Sequence, residues 1–210
     1  MEQIKEKSFE RKNELIEAAL DEFTTKSYEN ASLNKIIKNA GISKGTFYYH
    51  FQDKQALYTF LLETVYKTEL EFLNKRTEEL AEDFEGKNIF ERIKLQIQIG
   101  AEFSITFPKY LRLTLMSMKE EENKENKKIF ENVNSFRVKT IETGVEQMIT
   151  KAIEEGDLNE RFSKDFIIKI MNHLFIHYSE IFDAEEYHET PRYLEDVNNF
   201  VDFLKYGFGK

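Results

Sequence analysis

Apolar positions recur at helical spacing along almost the whole chain. Ile16, Ala19, Leu20 and Phe23 follow i, i+3, i+4, i+7 and predict a first amphipathic helix over about residues 9–25. The polar stretch KSYENAS follows it. Ser32 is a good N-cap, and Leu33, Ile36, Ile37 and Ala40 behind it repeat the helical spacing. Gly41 suits the left-handed residue that ends a helix, and Ser43 can cap the next helix at once. That third helix covers residues 44–51. Phe47 and Phe51 are four apart and share a face, while Tyr49 points away from it. Lys44 and Tyr48 lie on one flank, Thr46 and His50 on the other. Phe47 and Phe51 can therefore anchor the helix to a core, and Tyr48, Tyr49 and His50 cannot follow them inside. Their polar tips and flat faces suit a contact surface, and Gly45 lets a partner come close to the backbone.

Beyond this point the pattern predicts six longer elements. A fourth helix runs from Lys54 to about Glu82, with Leu57, Phe60, Leu61, Val65, Leu70 and Leu73 on its apolar face, and DFEGKN breaks it at Gly86. A fifth covers about 89–105 and stops before Pro108; a short sixth covers about 110–118. KEEENKENKK reads as a solvated loop and helix start. A seventh helix covers about 128–155, closed by Gly156. Ser163 and Asp165 open an eighth, with Phe166, Ile170, Met171, Leu174, Phe175, Ile181 and Phe182 expected inside. Thr190-Pro191 opens a ninth, with Leu194, Val197, Val201 and Leu204 on one side. The expected fold is all-α, with about nine helices. A three-helix domain over residues 1–53 precedes a larger helical domain over 54–210, and the fourth helix is shared.

Composition narrows the chemistry. Cysteine is absent, which excludes disulfides and thiolate chemistry. No apolar run reaches the roughly 18 residues that a membrane span needs, and the polar N-terminus is unlike a signal peptide. A soluble cytoplasmic protein that makes no membrane contact is expected. The net charge is −9, yet it is unevenly spread. The first 52 residues carry eight basic and eight acidic side chains; the remainder carries 22 basic and 31 acidic. Between Lys26 and Lys54, five lysines face only Glu29 and Asp53, so the one locally basic stretch surrounds the aromatic helix.

Two short helices joined by about three residues containing Gly form the helix-turn-helix pattern, whose second helix enters the DNA major groove. Tyr48, Tyr49 and His50 would face DNA, with Thr46 beside them. Lys44 and Lys54 would meet phosphates, and Ser32 and Ser43 lie at helix N-termini, where backbone amides also favour phosphate. The stretch ASLNKIIKNAGISKGTFYYHFQDKQALYTFLLE resembles the DNA-binding segment of the TetR family of bacterial transcriptional regulators, over residues 15–61. The resemblance implies that Lys44, Gly45, Tyr48, Tyr49 and His50 contact a double-stranded operator and that Lys54 contacts a phosphate. It also implies a homodimer whose C-terminal domain binds a small-molecule effector.

Other chemistry is thinly signalled. His173 and His177 are four apart, a spacing that can bind a metal, with Glu180 near the same face. Glu185-x-x-His188 is half of a bundle di-iron motif, and the second half is missing. No Gly-x-Ser-x-Gly elbow is present. No enzyme, metal or cofactor is assigned. The alternative reading is a helical interaction module, or a metal-binding helical protein, without DNA binding. Phe103, Phe107, Tyr110, Phe136, His173, His177 and Tyr178 are the expected pocket walls, because polar tips are interleaved among aromatics there. Leu174, Ile181, Val197, Val201 and Leu204 are the expected dimer contacts, since the last two helices carry long apolar stripes.

Overall fold

The computed structural model describes residues 11–121, 127–178 and 191–209. Among them are ten helices: α1 Lys12–Phe23, α2 Leu33–Asn39, α3 Lys44–His50, α4 Lys54–Glu79, α5 Ala81–Phe84, α6 Ile89–Thr106, α7 Pro108–Glu121, α8 Lys127–Glu154, α9 Lys164–Ile176 and α10 Pro191–Phe208. Two compact units result. The first comprises residues 1–65 and 109–130; the second comprises 66–108 and 131–210. Helix α4 contributes its first half to one unit and its second half to the other.

In the first unit, α1 buries Leu15, Ala18, Ala19, Leu20 and Phe23. Ser32 caps α2 by accepting from the Lys35 amide. The helix ends where the Gly41 amide donates to the Lys38 carbonyl and the Ile42 amide to the Ile37 carbonyl. This paired closure needs a left-handed residue, and Gly41 has φ 65°. Ser43 then caps α3 at Thr46. Phe47 is fully buried and stacks on Phe51, which meets Phe60 of α4 edge-on. Helix α7 is fastened to this unit at both ends. Lys109 reaches Glu17 and Asp21 of α1, and Leu113 and Ser117 are buried. At the far end, the Glu120 carboxylate accepts from the Tyr28 amide at 2.5 Å and from the Tyr58 hydroxyl at 3.2 Å.

In the second unit, Asn88 and Glu91 close a reciprocal capping box on α6. Ile89, Phe90, Ile93, Val145, Ile149, Ile167, Met171, Val201 and Leu204 form a continuous apolar core. Two boundaries depart from the sequence pattern. Helix α4 ends at Glu79 and the four-residue α5 follows. Glu78 and Glu79 sit at a helix end that repels negative charge, whereas Glu82 and Asp83 fall in the first turn of α5, where they are favoured. Pro108 opens α7 as well as closing α6, because the first helical position needs no amide donor.

The apolar assignments on the last two helices also change. Phe166 and Ile170, expected inside, are exposed on α9. Val197, Val201 and Leu204, expected at a subunit contact, are buried in the protomer's own core, and Leu174 packs against that core. Val197, Val201 and Leu204 have little surface left to offer a partner, while Leu174 is half-buried. Ile181 lies outside the described residues.

Candidate nucleic-acid interface

Helix α3 is held from behind and bare in front. Its anchor is Phe47; Tyr48 on the flank and Tyr49 on the opposite side are 56% and 65% exposed. Lys44, Gly45, Thr46 and His50 are exposed as well. Tyr48 meets the edge of Phe47 at 5.2 Å, and Tyr49 meets His50 edge-on at 5.0 Å, so both tyrosines are oriented by neighbouring rings. Gly45 has an ordinary backbone, and a Cβ there would meet only the Ser43 hydroxyl at 3.6 Å. Nothing inside the fold demands a glycine at that position. The Ser32 and Ser43 hydroxyls are both committed as caps.

Lys54 is engaged within the first unit. Its ammonium donates to the carbonyls of Tyr28 at 2.6 Å, Glu29 at 3.2 Å and Ala31 at 3.1 Å, and it lies 4.6 Å above the Tyr28 ring. All three of its protons are used within the protein, so it fastens the loop between α1 and α2 and has no free donor for a phosphate. Burial lowers its pKa, against the opposing pull of Glu120 and Glu29. Sequence reading also missed Glu22. This carboxylate is buried beside Phe23, receives Lys35 at 2.5 Å and the Ser32 amide at 3.1 Å, and has Lys26 at 3.5 Å. The Lys35 hydrogen bond holds its carboxyl below the usual range, against burial. Glu22 and Lys54 together set the loop that leads into α2. The i,i+4 spacing marks only the Glu22–Lys26 pair; the Ser32 amide and Lys35 reach Glu22, and the three carbonyls reach Lys54, only through folding.

Residues 15–59 match the sequence model of the bacterial regulatory proteins of the tetR family. The fold agrees over nearly its full length with the crystal structure of a TetR-family transcriptional regulator from Chloroflexus aurantiacus: TM-score 0.64, 98% of this chain and 96% of that one, at 20% identity. The likeness to the tetR family is thus one of sequence over residues 15–59 and of fold over nearly the whole chain. Over 162 residues it is 28% identical to the HTH-type regulator YerO of Bacillus subtilis, covering 76% of this chain and 52% of that one. Over 62 residues it is 31% identical to IcaR of Staphylococcus epidermidis, a negative transcriptional regulator of a biofilm operon, covering 30% and 34%. The chain thus spans about half or less of the length of these curated relatives. In TetR-family terms, α2 and α3 are the helix-turn-helix.

The residues expected to wall a pocket are not brought together as a set. Phe103 and Phe107 converge with Phe72, at centroid distances of 5.5 and 6.1 Å from it. Tyr178 packs against Phe200. Tyr110 belongs to the first unit, where burial, then Glu17, raises its pKa. His173 is exposed, with its ring tilted against that of His177 at 4.6 Å, so it faces away from the inward stripe of α9 formed by Ile167 and Met171. The Phe136 side chain, Glu180 and the Glu185-x-x-His188 motif lie outside the described side chains. Among the described residues, no group of three or more His, Asp or Glu could hold a metal, and no helix is long and apolar enough to cross a membrane.

Proposed function

We propose that this protein is a DNA-binding transcriptional repressor of the TetR family. It binds a palindromic operator in the cytoplasm as a homodimer and is released by a small-molecule effector held in residues 54–210. The observation that carries the reading is the split of α3, with Phe47 buried behind and Lys44, Gly45, Thr46, Tyr48, Tyr49 and His50 bare in front. Such a helix presents polar tips and flat rings to base edges while Ser43 fixes its start. Repression follows the description of IcaR as a negative regulator.

The dimer would use the outer faces of α9 and α10. Phe166 and Ile170 on α9 and Phe203 and Tyr206 on α10 are large apolar side chains left in water, the last two 70% and 82% exposed. A two-fold contact would cover them and set two α3 helices for half-sites a turn or more of DNA apart. Selection of bound duplexes from a random library, at a stated salt concentration, tests the whole reading. An enriched palindrome is the expected result; no enrichment would favour a helical interaction module. Sedimentation of Phe203→Glu should show monomers that bind the palindrome poorly, and an unchanged dimer would move the interface elsewhere.

A further inference from the structure

The interior of the second unit contains polar atoms that its own packing does not match. Arg137 of α8 donates from Nη2 to the Ile176 carbonyl on α9 at 3.4 Å, while its Nε is buried without a hydrogen-bond partner. Asn172 lies one turn before Ile176 on α9, next to the buried Met171, and its Oδ1 is likewise buried without a partner. Glu69 of α4 supplies a carboxylate opposite the Arg137 cation; burial pushes its pKa up and Arg137 pulls it down. Buried polar atoms in native proteins are nearly always satisfied, so two orphans on neighbouring helices call for an explanation. One is a donor and the other an acceptor. A neutral amide offers one acceptor and one donor, so a partner for the orphans needs no net charge. Ile141 is one turn beyond Arg137 and Phe175 nearly one turn beyond Asn172, and both are partly buried against the apolar core, which suits an apolar body on that partner.

We propose that Arg137 and Asn172 are the polar anchor of an effector site for a small uncharged molecule of the amide or lactam class, its carbonyl accepting from Arg137 Nε and its N–H donating to Asn172 Oδ1. This inference rests on the reading of the second unit as an effector domain. It gives the orphans a use: they cost stability in the free protein and are satisfied when the ligand enters.

The test uses the full chain with benzamide as probe and three controls: methyl benzoate lacks the N–H, benzoate lacks it and is anionic, and benzylamine lacks the carbonyl and is cationic. Ligand-observed NMR should give benzamide a dissociation constant of about 1 mM, as expected for so small a molecule, with each control about tenfold weaker or more. Asn172→Leu should raise the melting temperature of the free protein and weaken benzamide about tenfold. Arg137→Lys keeps the charge facing Glu69 but removes the Nε donor, and should weaken benzamide similarly. A lower melting temperature for Asn172→Leu, with benzamide no better than its controls, would show that water-bridged packing is the role of these groups and overturn the proposal. Absence of benzamide binding would overturn it as well. Operator binding measured with saturating benzamide separates the two readings. Anchored binding that leaves operator affinity unchanged keeps the anchor and removes the effector function. Operator release that survives both substitutions keeps the effector domain and removes the anchor.

Discussion

Lys54 offers the sharpest test of how the DNA-binding unit is built. Replacing it with Met keeps most of the stem and removes the ammonium. Three carbonyls, of Tyr28, Glu29 and Ala31, then lose their donor, and the Tyr28 ring loses its cation. A hydrogen bond to a charged group contributes about 1.5–3 kcal/mol, but these three share one ammonium and the Glu29 contact is exposed, so water replaces part of the loss. The expected cost is about 2–3 kcal/mol, including about 0.5 kcal/mol from the ring. For a chain of this size that corresponds to a melting point lower by about 4–12 °C. Calorimetry measures it directly. Operator affinity should fall for all sequences, since the loop before α2 loosens. The slope of log affinity against log salt should stay the same, because the ammonium neutralises no phosphate. A phosphate contact would add about 0.9 to that slope per site. Unchanged melting, combined with a slope reduced by that amount per half-site, would mean that Lys54 leaves its carbonyls for DNA, and the reasoning would fail.

Other outcomes follow from the same structure. Phe47→Ala should destabilise the first unit by about 3–5 kcal/mol, while Tyr49→Ala should leave melting nearly unchanged and weaken operator binding; equal destabilisation in calorimetry would contradict the two-faced helix. Gly45→Ala should stabilise α3 by about 0.5–1 kcal/mol, since the added Cβ meets only ordinary contact, yet weaken operator binding in a gel-shift titration. Glu22 has a folded pKa below its ordinary 4.5, so its contribution is complete above that value and is lost as pH falls through the folded one. Stability curves from pH 6 to pH 3 should therefore fall less steeply for Glu22→Gln than for the unchanged protein, and parallel curves would remove Glu22 from the acid response.

The sequence by itself determined the local structure. Ser32, Gly41 and Ser43 specify where α2 ends and α3 begins, because caps and left-handed turns depend on residues one to four positions apart. The four-residue spacing of Phe47 and Phe51 likewise settled which face of α3 is buried, and hence that Tyr48 and Tyr49 stay outside. On α9 and α10 the periodicity is clear, but large apolar residues lie on more than one face. It could not say which stripe meets the protomer's own core, and the tertiary structure assigned Val201 and Leu204 to that core and left Phe203 and Tyr206 bare. Apart from the local Glu22–Lys26 pair, the roles of Lys54, Glu22 and Glu120 belong to tertiary structure. Each bonds to groups 10 to 92 positions away, and most of those groups are backbone amides and carbonyls that every residue carries. A side-chain pattern cannot mark a partner that has no side-chain identity; only the folded path of the chain selects it.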